Sequence, residues 1–388
     1  MKQKQNKILV AMSGGVDSSV ASALLKEEGY EVHGAHMLCW DGCENNGDKQ
    51  DAERVAARLD IPFYTFDFRK EYKEAVYNYM VREYGAGRTP NPDVMCNKTI
   101  KFGIFLKRAL EMGFDFIATG HYVRRELHET TRLVRVAEGR NCADNASASE
   151  PTERGLSRAV DARFRYSLFT AQDLSKDQSY FLWTLTQFQL SHSFFPIGNY
   201  LKTEVREIAK KFGLPNAAKK DSQGLCFVGK VDFAEFIREA LPKNPGSVLD
   251  SSGRVLGEHD GAHFYTLGQR HGLGVGGGTK APLYIAERNI AANTLVVAEG
   301  DVDPILYRKE LTTENMHWIS CEPEFPLNCL ARIRYRQPLQ ECVVSANNES
   351  STNKRIVFGS PQRAIAPGQS IVFYSDAGQM LGGGVIVE

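Results

Sequence analysis

The stretch KILVAMSGGVDSS, Lys7–Ser19, decides the fold. Its first six residues form an apolar run of the length a buried strand needs. The helical spacing of Val20, Leu24 and Leu25, closed by Gly29, predicts a helix over 18–28. Between them lies Ser13-Gly14-Gly15-Val16-Asp17-Ser18-Ser19. Two adjacent glycines let the backbone turn sharply and approach an anion without a Cβ in the way. The amides of the following helix N-terminus carry partial positive charge, which favours a phosphate. Ser13, Ser18 and Ser19 add hydroxyls. Asp17 suits a Mg²⁺ ion bridging phosphates better than bare phosphate. No Gly-Lys-Ser/Thr follows, so this is not a Walker loop.

Outward from this loop, strand and helix patterns alternate. Strands are predicted over 31–38, 63–68 and 114–119, and helices over 49–59, 70–84 and 99–112. Such alternation implies a doubly wound parallel sheet, with ligands at the carboxyl ends of its strands. From about 138 to 173 the pattern dissolves into small polar residues broken by Pro and Gly, which reads as an exposed, disordered insertion. Helical spacing returns over 179–189 and 202–212. Beyond about Val231, glycine-rich turns separate the β-rich runs HFYTL, PLYIAE, TLVVAE, CLARIRYR, ECVVSA, RIVFG and SIVFYS. The expected organisation is an α/β domain over 1–228, a small β-rich domain over 229–300, and a C-terminal β-barrel over 301–388. Gly272–Gly277 fits GxGxxG formally, but it stands outside any βαβ unit and reads as a loop.

In 388 residues, 47 basic side chains balance 47 acidic ones, so an RNA partner would need a local cationic patch rather than an overall basic surface. Arg332, Arg334 and Arg336 alternate along an apparent strand and offer such a stripe, with Arg270 and His271 on a loop elsewhere. No apolar run approaches the roughly 20 residues of a membrane span. MKQKQNKILV lacks a signal-peptide pattern, so a cytoplasmic location and no membrane partner are expected.

The eight cysteines include no Cys-x-x-Cys pair, which disfavours zinc ribbons and tightly spaced iron–sulfur motifs; no resident metal is expected. Cys142, Cys321, Cys329 and Cys342 read as ordinary residues, and Cys39 with Cys43 lacks a second ligand pair. Two thiols stand apart. Cys96 lies in Thr89-Pro90-Asn91-Pro92-Asp93-Val94-Met95-Cys96-Asn97-Lys98, an extended loop expected to lead into a helix at Thr99, between Lys98 and Lys101. Cys226 lies in Lys219-Lys220-Asp221-Ser222-Gln223-Gly224-Leu225-Cys226-Phe227. A thiol or persulfide is a natural nucleophile toward a substrate oxygen that ATP has turned into a leaving group.

The loop resembles the SGGxDS loop of the ATP pyrophosphatases. SGGVDSS, GRTPNPDVMCNKTIKF, ATGHYV, KDQSYFL, KKDSQGLCF, FYTLGQRHGLGVGG, RIRYRQ and PGQSIVFY together, in this order, resemble the bacterial tRNA-specific 2-thiouridylases, the MnmA family, over nearly the whole chain. That resemblance implies an ATP-dependent sulfurtransferase acting on tRNA with a wobble uridine. It implies ATP with its Mg²⁺ on Ala11, Met12, Ser13, Gly14, Gly15, Val16, Asp17 and Ser18, with Met37 and Gly120 lining the adenosine. Asn91, Pro92 and Asp93 would meet the uridine, Asp93 also moving a proton there. Cys96 would be the nucleophile and Cys226 the persulfide carrier, loaded by a sulfur relay or cysteine-desulfurase-derived donor protein, with a Cys96–Cys226 disulfide left after turnover. His121, Lys176, Asp177, Gln178, Arg334, Tyr335 and Gln369 correspond to tRNA-contacting positions. Two departures stand out: the longer insertion, and Leu38-Cys39-Trp40-Asp41 in place of a Lys-Asn-Trp run after Met37, which touches the adenine pocket. An amidotransferase-type synthetase would need an ammonia source that the sequence does not display. A tRNA-binding module without catalysis would have no use for an intact Gly14, Gly15 and Asp17.

Overall fold

The computed structural model describes residues 5–41, 47–129, 164–220, 237, 240–273, 275, 281–347 and 350–387. Cys43, Cys142, Cys226 and most of the expected insertion lie outside the described residues.

The first domain is built on β1 (Lys7–Ala11), β2 (Glu31–Leu38), β3 (Phe63–Asp67), β4 (Phe116–Ala118) and, further along the chain, β7 (Ser193–Phe194). They form one sheet in the order β3-β2-β1-β4-β7, and every pairing is parallel. The period-two alternation of β1 divides the core between two faces. Leu9 and Ala11 enter a cluster with Ile100, Phe102 and Phe105, from the helical run that follows Asn91. Ile8, Val10 and Met12 enter another with Val20, Leu24 and Val55 of helices α1 (Val16–Glu27) and α2 (Asp48–Arg58). The sheet is therefore covered on both sides, as parallel sheets require.

Local boundaries depart from expectation at four places. The helix expected at Thr99 begins at Pro92 instead, running Pro92–Cys96, Asn97–Phe105 and Leu106–Glu111 without a break. Asn91 caps it, its side-chain oxygen accepting from the Val94 amide at 3.3 Å, and Pro92 takes the first helical position, where a missing N–H costs nothing. The prolines start the helix rather than hold a loop open. The helix expected over 179–189 is only a 3-10 turn (Ser179–Phe181) and a short helix (Gln187–Ser191). Within the expected insertion, Phe164–Thr170 is strand β6, paired with β5 (Val123–Glu129). The run HFYTL is a 3-10 turn (Ala262–Phe264), not a strand.

The central domain is a four-stranded sheet, β10-β11-β8-β9, from β8 (Gly246–Asp250), β9 (Val255–His259), β10 (Leu283–Asn289) and β11 (Thr294–Glu299). The last domain is a barrel of β12 (Tyr307–Trp318), β13 (Leu327–Arg332), β14 (Gln340–Asn347), β15 (Ser350–Arg363), β16 (Ser370–Tyr374) and β17 (Gln379–Ile386). Pairing of β12 with β17 closes it. β6 pairs with β17 as well, so the β5–β6 hairpin of the first domain extends the barrel's own sheet.

A buried ion pair locks this junction. Arg332, at the end of β13, reaches Asp177 at 3.1 Å, with side chains 7% and 1% exposed. The Asp177 carboxylate also accepts from the Ala171 amide and the Ser179 hydroxyl, and the Arg332 guanidinium lies 4.8 Å from the Tyr374 ring centre. Tyr180 donates to the Ser370 carbonyl at 2.8 Å and Trp183 to the Ser370 hydroxyl at 3.1 Å. The expected arginine stripe is therefore not one: β13 ends at Arg332, and the chain bends through 333–336, with Arg336 at φ 63°. Removing one partner of a buried pair strands the other charge, which typically costs about 3–5 kcal/mol. Asp177→Ala is expected to lower stability on that scale in urea unfolding, and adding Arg332→Leu to recover part of the loss.

Candidate functional site

After β1, the Met12 amide donates to the Ala35 carbonyl at 2.7 Å, and the chain turns through Ser13, Gly14 and Gly15 into α1. Gly14 has φ +77°, and a Cβ there would lie 2.1 Å from the Asp48 carbonyl oxygen, so no other residue fits this turn. Gly15 is the N-cap and gives α1 no side-chain cap, which leaves the first-turn amides to a ligand. The loop's carbonyls are held by the protein. Ser18 and Ser19 donate to the Gly15 carbonyl at 3.2 and 2.8 Å, and Asn216 donates to the Gly14 carbonyl at 3.0 Å and the Ser19 hydroxyl at 2.9 Å.

Two lysines absent from the sequence-based site border this loop. Lys202 contacts both Asp17 carboxylate oxygens, at 2.7 and 2.9 Å, and Tyr122 donates to the same carboxylate at 2.9 Å. Lys219 reaches Asp48 at 2.7 Å, Asp51 at 2.6 Å and the Gly14 carbonyl at 3.3 Å. Burial works against the Lys219 ammonium, but its hydrogen bonds to Asp48 and Asp51 outweigh that and raise its pKa above the ordinary value. Lys219 opens a quoted motif and Lys202 stands outside all of them; their convergence on Gly14 and Asp17 across some 185 to 205 positions has no local signal.

The loop after β4 joins the phosphate loop to the cysteine helix. A Cβ on Gly120 would lie 2.6 Å from the Ser18 amide nitrogen and 2.8 Å from the Asp17 carbonyl carbon. Next to it, buried His121 accepts or donates at 2.8 Å with the Thr119 hydroxyl and stands 3.4 Å from the Lys101 ammonium. Burial, reinforced by the Lys101 charge, drives the His121 pKa well down, so its ring is neutral. Lys101 follows Cys96 on the same helical run, and Cys96 itself is 1% exposed. Asn97 donates to the Phe181 carbonyl at 3.2 Å, and the Phe181 ring lies 4.5 Å from that of Tyr335, both half-buried.

Several residues matched to tRNA contacts make internal ion pairs or hydrogen bonds in this structure. Asp177 sits in the ion pair described above. Gln178 accepts from the Tyr122 amide at 3.0 Å through its side chain. Gln369 donates to the carbonyls of Thr89 and Pro90 at 2.9 and 3.0 Å, bracing the approach to Asn91 and Pro92. Arg334 donates to the Leu267 and Ala364 carbonyls, both at 2.8 Å, and burial lowers its pKa. Sequence periodicity could not reveal these internal partners. Lys176 and Tyr335 are half-buried, while Arg336, Arg270 and His271 are exposed. Asp93 occupies the first turn of the cysteine helix. The Met37 side chain is buried in the core. Cys321, read as ordinary, is disulfide-bonded.

Cys226 lies outside the described residues, but the chain leading to it is anchored. Lys219 is fixed at Gly14, and Ile237, on the far side, is buried in the core that contains Cys96. Among the described residues, no group of three or more His, Cys, Asp or Glu could hold a metal ion. The uncapped amides, the glycine clearances and the two lysines suit a polyphosphate. Gly120→Ala should push the first turn of α1 out of place and weaken binding of inorganic pyrophosphate or ATP about ten-fold or more, measured by calorimetry, a loss of at least about 1.4 kcal/mol.

Comparison with known proteins converges on one family. Residues 6–230 match a family model described as tRNA methyl transferase HUP domain, 234–299 the corresponding PRC-barrel domain, and 308–386 an aminomethyltransferase beta-barrel domain. The tRNA-specific 2-thiouridylase MnmA of Legionella pneumophila (strain Paris) is 43% identical over 392 residues, covering 98% of each chain. MnmA 2 of Geobacillus kaustophilus is 42% identical over 391 residues, covering 99% of this chain and 95% of that one. MnmA of Coxiella burnetii is 42% identical over 394 residues, covering 99% of each. With a parallel-sheet domain, a small β domain and a closed barrel following one another along matched residues, the chain belongs to the family of tRNA-specific 2-thiouridylases.

Proposed function

We propose that this protein is a tRNA 2-thiouridylase that activates the wobble uridine with ATP and replaces its C2 oxygen by sulfur. The observation that carries the reading is the meeting of two segments at Gly120–His121: the uncapped phosphate loop on one side and the Cys96 helix on the other. An anion site beside a helix that carries a thiol is the arrangement an activate-then-substitute reaction uses.

In this reading the α1 amides and the Ser13–Ser18 loop hold the polyphosphate of ATP, and Lys202 and Lys219 supply positive charge to the pyrophosphate as it leaves. Bound Mg²⁺ would neutralise phosphate charge, and Asp17 is the carboxylate placed to meet it, which asks Lys202 to change partner from Asp17 to phosphate. The uridine is extruded from its stack, a few kcal/mol being typical for such extrusion. The half-buried Phe181–Tyr335 pair beside Asn97 offers an aromatic surface for it. Asn91 and Pro92 present the cysteine helix, and Asp93, in its first turn, would move a proton at the base. Uridine O2 attacks the α-phosphorus and pyrophosphate leaves. A persulfide on Cys226, loaded by a donor protein, then delivers sulfur to C2, either directly or as hydrosulfide released by Cys96. AMP departs, and the Cys96–Cys226 disulfide that remains is opened by thiol exchange with a reductant. RNA phosphates are met by the exposed Arg336, Arg270 and His271 with Lys176, so binding should weaken as salt rises.

Incubation with tRNA, ATP, Mg²⁺ and a persulfide donor (a cysteine desulfurase with cysteine) should release AMP and yield a thiolated nucleoside. Cys96→Ser and Cys226→Ser should each abolish thiolation while ATP–pyrophosphate exchange persists at least in part; exchange lost from both would refute this division of roles. Lys202→Met and Lys219→Met should lower ATP affinity by about ten-fold each, since a hydrogen bond to a charged group contributes about 1.5–3 kcal/mol.

A further inference from the structure

The barrel holds a second pair of thiols with no part in the chemistry above. Cys329 on β13 and Cys342 on β14 face each other directly in the antiparallel register, and their sulfurs are 3.7 Å apart. Both are reduced and buried, and both point into the barrel core with Ala331, Val344 and Phe358. Directly opposed residues of an antiparallel pair have Cα atoms about 4.5–5.5 Å apart, inside the span of about 4.4–6.8 Å that a disulfide bridges. Closing the sulfurs to about 2.05 Å requires side-chain rotation and a small approach of the two strands, since directly opposed Cβ atoms lie about 4.5–5.5 Å apart and a disulfide takes about 3.5–4.5 Å. The pair is also reachable. It lines a cavity of about 380 Å³ together with Lys309, Glu341, Val357 and Asp376. The contact with Cys342, burial and the Asp376 charge raise the Cys329 pKa and hold that thiol protonated.

We propose that Cys329 and Cys342 form a reversible oxidation site, closing to a cross-strand disulfide when a small disulfide oxidant such as glutathione disulfide enters the cavity. One sulfur, losing its proton, attacks the oxidant and releases one glutathione thiol. The other, losing its proton, attacks the resulting mixed disulfide and releases the second. The protein gives up two electrons and two protons, and one glutathione disulfide becomes two glutathiones. The bond ties β13 to β14 three residues before Arg332, the anchor of the barrel on Asp177.

The test is made on the full chain. Protein treated with excess glutathione disulfide is quenched in acid, alkylated and cleaved after glutamate, which separates Cys329 from Cys321 at Glu324 and from Cys342 at Glu341. Mass spectrometry should find the peptides 325–341 and 342–349 joined, and dithiothreitol should part them. In Cys329→Ser the joined species should vanish while tRNA thiolation is unchanged. The proposal fails if both thiols remain fully alkylatable after oxidant, or if each retains its own glutathione without closing. It fails equally if both resist alkylation before oxidant and are released by a chelator, which would make the pair a metal site. The wild-type measurement decides the matter even if the variant does not fold.

Discussion

The contact on which the site depends is the approach of Gly120 to the first turn of α1. With 2.6 Å between the Ser18 nitrogen and a Cβ that Gly120 does not have, the loop after β4 lies against the phosphate loop's backbone. The phosphate loop is itself pressed onto Asp48 through Gly14. Such spacing leaves neither loop room to shift, so the first-turn amides of α1 are held in place by the fold itself. Because His121 is the next residue and stands beside Lys101, the same contact fixes where the cysteine helix lies relative to that anion site.

The barrel contributes to the site by bracing it. Gln369 holds the carbonyls of Thr89 and Pro90, the Thr89 amide donates to the Pro367 carbonyl at 2.7 Å, and Arg288 of the central sheet donates to the Gly87 carbonyl. Three domains thus converge on the residues that lead into the Asn91 cap. The Arg332–Asp177 pair and the pairing of β6 with β17 keep the barrel from moving away from this loop. A buried ion pair is a weak source of net stability but a strict one in geometry, since any other docking would leave two charges without partners.

Much of this was readable in advance, and the exceptions share a cause. Strand β2 and the helices at α1 and α2 follow apolar periodicity, a local property, and fall within a residue or two of expectation. The helix start at Pro92 was also written locally, in an Asn cap followed by Pro, but proline's reputation as a breaker hid it. Arg332, Arg334 and Gln369 carry polar side chains whose alternation looks solvent-facing; each is occupied by a partner 30 to 280 positions away. Lys202 and Lys219 were missed at the site for the same reason, while Cys329 and Cys342, ordinary in sequence, become a pair only through strand register.

The order of motifs along the chain was enough to identify the family, the parallel sheet and the glycine turn into α1, because those rest on short-range patterns of glycine, apolar spacing and helix ends. Which charges face a ligand and which are buried against each other was decided only by tertiary structure. Charge pairing acts over a few ångströms in space, and a linear sequence does not record which distant side chains come that close.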